Sequence, residues 1–272
     1  MKRQGQRGEP RSGDPLKITI CEMPDDRGEF DEAWEMLSRH VRRESSDAVL
    51  LPEMPFYHWF CAGPKYDPDV WEDAVRTHER WARRLSELGA PVVFGSRPID
   101  QEGRRVNQGF AWTKSGLKGV HLKNYLPDEP GFYEARWYDR GRGPFRPFEV
   151  RGWKAGFMIC SDLWSMADAS AYGRGGVELI LVPRATGSPD AKSRWVAGGR
   201  VAATIAGAYC ASSNRVGKRG EATFGGHGWI MEPDGDVLGL TSRRQPFVTV
   251  KIERSKADAA KVTYPRYTFG RA

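Results

Sequence analysis

No apolar run in the 272 residues is long enough to span a bilayer, which argues against a helical membrane protein. Cysteine is scarce. The four residues at positions 21, 61, 160 and 210 have neither the density of a disulfide scaffold nor the paired spacing of a zinc site, so they read as free thiols. The five histidines (His40, His58, His78, His121, His227) are scattered without metal-ligand spacing and read as surface or core residues. No Walker pattern or G-x-G-x-x-G follows an apolar strand, which counts against a nucleotide-binding fold. The formal charge of +7 comes from Lys and Arg interleaved with Asp and Glu, with the clearest excess in the opening residues, so no nucleic-acid partner is expected. Those residues, 1–15, are rich in Gly, Arg, Ser and Pro and lack the apolar segment of a signal peptide. They read as a flexible leader before a single domain over 16–272, and the expected location is the cytoplasm.

What is present is periodicity. Leu16 to Glu22 reads as a strand, and Phe30, Trp34, Leu37 and Val41 follow at helical spacing. Asp47 to Leu51 is an apolar strand closed by Pro52, and Val70 to Leu88 reads as one long helix stopped by Gly89. The second half restates the first. Ala48-Val-Leu-Leu-Pro52 returns as Leu179-Ile-Leu-Val-Pro183, each followed by a charged residue (Glu53, Arg184). Gly89-Ala90 leads to Arg97 as Gly207-Ala208 leads to Arg215, and hairpins follow at Gly109 to Gly116 and Gly228 to Gly235. Two such β-α units can hide their remaining apolar faces only against each other, so the expected fold is an α/β four-layer α-β-β-α sandwich with two pseudo-repeated halves.

Three chemically active side chains fall at the ends of predicted strands. Cys160 closes Trp153-Lys-Ala-Gly-Phe-Met-Ile and precedes a helix opening on Ser161 and Asp162, where backbone amides and the helix dipole are expected to favour the thiolate. Glu53 follows an apolar strand among apolar neighbours, a setting that suits a general base with a raised pKa. Lys123 ends Lys118-Gly-Val-His-Leu and precedes a loop dense in Pro, Gly and aromatics. A base, a fixed cation and a thiol are the minimum equipment for acyl transfer.

With these residues the sequence resembles the nitrilase superfamily of carbon-nitrogen hydrolases. The family's Glu-Lys-Cys triad matches Glu53 in Leu51-Pro-Glu-Met-Pro-Phe56, Lys123 in His121-Leu-Lys-Asn-Tyr125, and Cys160 in Gly156-Phe-Met-Ile-Cys-Ser-Asp162. Its additional glutamate matches Glu134 in Pro130-Gly-Phe-Tyr-Glu-Ala-Arg-Trp-Tyr138, and further agreement lies in Val182-Pro-Arg-Ala-Thr186 and Ala211-Ser-Ser-Asn-Arg-Val-Gly217. The resemblance implies the α-β-β-α sandwich, a thioester on Cys160, catalysis without metal or organic cofactor, and a homodimer or larger assembly. An aromatic carboxyl tail (Tyr264, Tyr267, Phe269) fits such an assembly.

Departures from the family bear on substrate. Tyr125 stands where members acting on carbamoyl amines usually carry His, and Leu163 and Trp164 stand where arginines hold the carboxylate of N-carbamoyl amino acids. Ser161-Asp162 replaces the Trp-Glu of typical nitrilases. Tyr125, Ser161, Trp164 and Arg184 are the expected substrate-binding residues, and Trp59 and Trp137 are further candidates for the pocket wall. The expected substrate is a small amide or carbamoyl amine. The rivals are a nitrilase, and a catalytically inactive scaffold of the same fold.

Overall fold

The computed structural model describes residues 15–187 and 192–269. Most of the expected leader and the last three residues of the tail therefore lie outside the described residues.

Among the described residues, thirteen strands and seven helices follow one another, with strands and helices alternating as the periodicity implies. Strand β1 (Leu16–Pro24) leads to α1 (Arg27–Glu44), β2 (Ala48–Leu50), α2 (Pro68–Ala82), β3 (Val92–Gln101), β4 (Arg104–Thr113) and β5 (Gly116–Leu122). After α3 (Glu134–Trp137) come β6 (Phe148–Val150), β7 (Trp153–Phe157), α4 (Met166–Arg174), β8 (Leu179–Pro183), α5 (Lys192–Ala206) and β9 (Tyr209–Arg219). The chain continues through β10 (Ala222–Gly225), β11 (Trp229–Met231), β12 (Val237–Leu240), β13 (Phe247–Ile252), α6 (Arg254–Ala260) and α7 (Arg266–Phe269).

Hydrogen bonding divides the strands into two equivalent halves. One sheet runs β5-β4-β3-β2-β1-β13 and the other β12-β11-β9-β8-β7-β6. In each, three parallel strands (β1-β2-β3, β7-β8-β9) are flanked by an antiparallel strand on one side and an antiparallel hairpin on the other. The repeat read in the sequence is this repeat of topology. The sheets join where Glu22 to Pro24 pair with Asn214 to Val216.

Strand alternation decides which residues fill which layer. Ala48 and Leu50 of β2 and Leu179 and Leu181 of β8 meet in the core between the sheets. Val49 and Leu51 face α1, whose Phe30, Trp34, Leu37 and Val41 are buried. Ile180 and Val182 face α4 and α5. The layers are therefore α-β-β-α.

Local chemistry sets the helix ends. Asp26 caps α1 by accepting from Gly28 N at 2.7 Å, and Asp67 caps α2, which starts on Pro68. The long helix expected to Leu88 stops at Ala82. Arg84 N and Glu87 N bond three residues back, so the continuation is a 3-10 turn, Leu85–Leu88. That turn brings Glu87 against α1, where it accepts from Trp34 Nε1 at 3.0 Å.

Candidate active site

Strands β2, β5 and β7 point the same way, so Glu53, Lys123 and Cys160 emerge at one edge of the sandwich. Lys123 is fully buried there. Its Nζ donates to Glu53 Oε1 at 2.8 Å and to Glu134 Oε2, placing one ammonium between two carboxylates. Burial opposes the charge on Lys123, but the Glu134 and Glu53 carboxylates outweigh it and hold the ammonium well above its usual pKa. Burial pushes the Glu134 carboxyl up to about 7, against the pull of Lys123. Glu53 Oε1 also accepts from Asn107 Nδ2 at 2.8 Å. Glu53 Oε2 and Glu134 Oε1 are buried and have no hydrogen-bond partner among the described residues.

Cys160 follows β7 after two residues and opens a 3-10 turn, Cys160–Trp164, rather than an α-helix; α4 begins only at Met166. Its φ of 50° lies in the left-handed region, a strained conformation for a residue other than glycine. Contrary to expectation, the site does not favour the thiolate. Burial and the Glu53 carboxylate push the thiol up, and Lys123 only partly offsets them.

Cys160 and Glu134 line one cavity of about 500 Å³, walled by Phe132, Trp164, Trp195, Ala185, Thr186 and others. Of the expected substrate-binding residues, Ser161 and Trp164 line it. Tyr125 does not. It lines a neighbouring open cleft, which shares Ser161 and Pro127 with the cavity. Arg184 does not line the cavity either. Two residues beyond Val182 on the same strand face, it turns toward α5 and lies between the faces of Trp195 and Trp229. There it donates to Ser212 Oγ at 2.6 Å and to His227 O at 2.7 Å. Its pseudo-equivalent Glu53 still meets it, through Glu53 N to Arg184 O at 3.2 Å. Trp59 and Trp137 pack in the adjoining core.

Several residues around the site were not singled out by their sequence positions. Asp162 is fully buried and accepts from Asn124 N and Tyr125 N at 3.0 Å, Ile159 N at 3.1 Å and His121 Nε2 at 2.9 Å. It thereby ties both flanks of Lys123 to the nucleophile turn. Arg215 holds the chain around Glu53, donating to Glu53 O at 3.0 Å, to Met54 O and to Asp25. Tyr138 donates to Glu134 Oε2, and Asn214 braces the Thr186 wall through bonds to Thr186 and Gly226. The carboxylate two residues after the nucleophile and the Asn-Arg pair of the Ala211 to Gly217 motif were the available signals.

A fully buried ammonium held by two glutamates, one of which lines a cavity together with a strained cysteine, is the equipment of enzymes that work on acyl carbon. Residues 17–262 match the carbon-nitrogen hydrolase family, and the chain belongs to it: it is a hydrolase of carbon-nitrogen bonds other than peptide bonds. The chain is 28% identical over 259 residues to an N-carbamoylputrescine amidase of Solanum lycopersicum, covering 87% of this chain and 83% of that one. It is 24% identical over 247 residues to a citrullinase of Francisella tularensis, covering 84% and 85%. A carbon-nitrogen hydrolase from Helicobacter pylori G27 superposes with a TM-score of 0.84 at 21% identity, covering 95% and 96% of the two chains.

Proposed function

We propose that residues 16–272 form one catalytic unit that hydrolyses a small amide or N-carbamoyl amine through a thioester on Cys160. The observation that carries this reading is the buried Glu53-Lys123-Glu134 cluster, whose Glu134 lines the same cavity as Cys160. Glu53 takes the thiol proton as sulfur attacks the carbonyl carbon, so the raised thiol pKa need not be overcome beforehand. Lys123 and the amide after Cys160 hold the oxyanion. The carbon-nitrogen bond then breaks as Glu53 returns the proton to the departing ammonia or amine. Water, activated by Glu53, cleaves the thioester and restores the thiol. Glu134 orients Lys123 and, through its unpartnered Oε1, accepts from the substrate nitrogen.

N-carbamoylputrescine amidase and citrullinase, the relatives above, are named for substrates with a carbamoyl group, which suits this head-group chemistry. Leu163 is buried in the core and Trp164 offers a ring, so no guanidinium pair follows the nucleophile to fix an adjacent carboxylate. Amides and carbamoyl amines are therefore ranked above nitriles and N-carbamoyl amino acids. Four unpaired thiols suit a reducing cytoplasm. Val262 and Tyr264 stand 76% and 73% exposed near the carboxyl end, which suits contact with a second copy in a homo-oligomer. The direct test is ammonia release from matched amides, carbamoyl amines and nitriles. Release from the first two supports the reading, and release from nitriles alone contradicts it.

A further inference from the structure

The charged side chains that line the catalytic cavity, among the described residues, are Glu129, Glu134, Glu221 and Arg194. Glu134 serves the lysine. The other three belong to exposed positions at the mouth, and two of them are carboxylates. Glu129 lies in a tight turn closed by Phe132 N to Glu129 O at 2.8 Å. Gly131, at the centre of that turn with φ 83°, lies so close to the entrance of β10 that an added Cβ would stand 2.8 Å from Ala222 N. The segments bearing Glu129 and Glu221 are thus packed together. Asp128 is engaged by Arg136 at 2.6 Å, whereas no ion pair engages Glu129 or Glu221 among the described residues.

The aromatic wall adds a second attraction of the same sign. Trp164 lies over Gly198 of α5, where an added Cβ would stand 2.9 Å from its ring, and its centroid is 5.1 Å from that of Trp195. Indole faces carry negative electrostatic potential and attract cations. Deeper in the cavity, the buried and unpartnered Oε1 of Glu134 calls for a hydrogen-bond donor from a ligand. Among the described residues that line the mouth, the one opposing charge is Arg194, against the two carboxylates of Glu129 and Glu221.

We propose that Glu129 and Glu221, with the faces of Trp164 and Trp195, form an ammonium subsite that selects amides carrying a cationic tail. This rests on the amidohydrolase reading above and assigns the far end of its substrate. Two exposed carboxylates acting together on a tail partly withdrawn from water, with help from the rings, give an expected preference of about tenfold. Arg194 opposes the tail, so its removal should enlarge the preference.

The test compares kcat/KM of the full chain on 5-aminopentanamide, on hexanamide of equal length without charge, and on the anionic 4-carbamoylbutanoate. The expected order is cationic, neutral, anionic, with the first step about tenfold at low salt and compressed at about 0.5 M salt. Glu129→Gln with Glu221→Gln should bring the cationic and neutral amides to within about twofold of each other, and Arg194→Gln should widen the gap. Equal efficiencies in the unaltered enzyme, a preference that survives the double substitution, or fastest turnover of the anion would overturn the subsite. Turnover of neither these three nor the matching N-carbamoyl amines would overturn the amidohydrolase reading instead. Calorimetric binding of the same amides to Cys160→Ala then decides the subsite: the same preference for the cation supports it, and indifference to charge refutes it.

Discussion

Burial and the neighbouring carboxylates push the Cys160 thiol above its usual range, so its reactivity must come from a base that takes the proton during attack. All four cysteines are buried, but Cys160 lines the cavity while Cys21, Cys61 and Cys210 are fully enclosed. Iodoacetamide should therefore label Cys160 first, through access rather than acidity; equal labelling of the four, read by peptide mass, would contradict this. Glu53→Gln should lower kcat by about 10²- to 10⁴-fold, the usual worth of a positioned base, with a smaller change in KM. Glu134 allows a test with a definite sign. Its carboxyl, raised from 4.5 to about 7 by burial, stays protonated in the folded protein after the unfolded chain has released its proton. That group's contribution to stability falls as pH rises from about 4.5 to 7. Glu134→Gln, which imitates the protonated form, should match the parent near pH 5 and exceed it by roughly 1–3 kcal/mol at pH 8, while losing activity. Chemical denaturation at the two pH values checks this, and a parent that is more stable at pH 8 than at pH 5 relative to the variant would refute it.

Strand ends carry the reactive residues, but loops joined by buried polar side chains set their spacing. Glu53 and Lys123 were legible because each terminates an apolar strand, and Cys160 because a strand leads to it. Asp162 and Arg215 were not, because their partners are distant in the chain: 37 residues separate Asp162 from Tyr125, and 190 separate Arg215 from Asp25. No local pattern encodes such a contact. The acidity of Cys160 is not legible in the sequence for a related reason. A helix start could be read from Ser161 and Asp162, but not that it is one 3-10 turn, nor that two carboxylates converge near the thiol. Asp162→Asn keeps the shape but presents an NH₂ group to backbone donors. It should cost about 2–4 kcal/mol, and because it loosens Lys123 against Cys160 it should reduce kcat more than KM. Normal kinetics with reduced stability would make Asp162 merely structural.

At the scale of the molecule, the two halves share a topology while dividing the chemistry between them. The first sheet supplies Glu53 and Lys123 and the second supplies Cys160, so the active site exists only when both sheets pack face to face in register. The four-layer arrangement was readable because the apolar strands and their closing prolines repeat. Arg184 shows where the repeat misleads, since it matches Glu53 in sequence but points toward α5. Light scattering at micromolar concentration should show a dimer or larger species, and a strict monomer would contradict the assembly proposed for the exposed carboxyl end. The central claim is that the acyl group passes through Cys160. Acid-quenched mass spectrometry during turnover of a small amide should find the acyl mass on the Cys160 peptide of the parent and none with Cys160→Ala, which should also release no ammonia. Undiminished ammonia release by Cys160→Ala would contradict it.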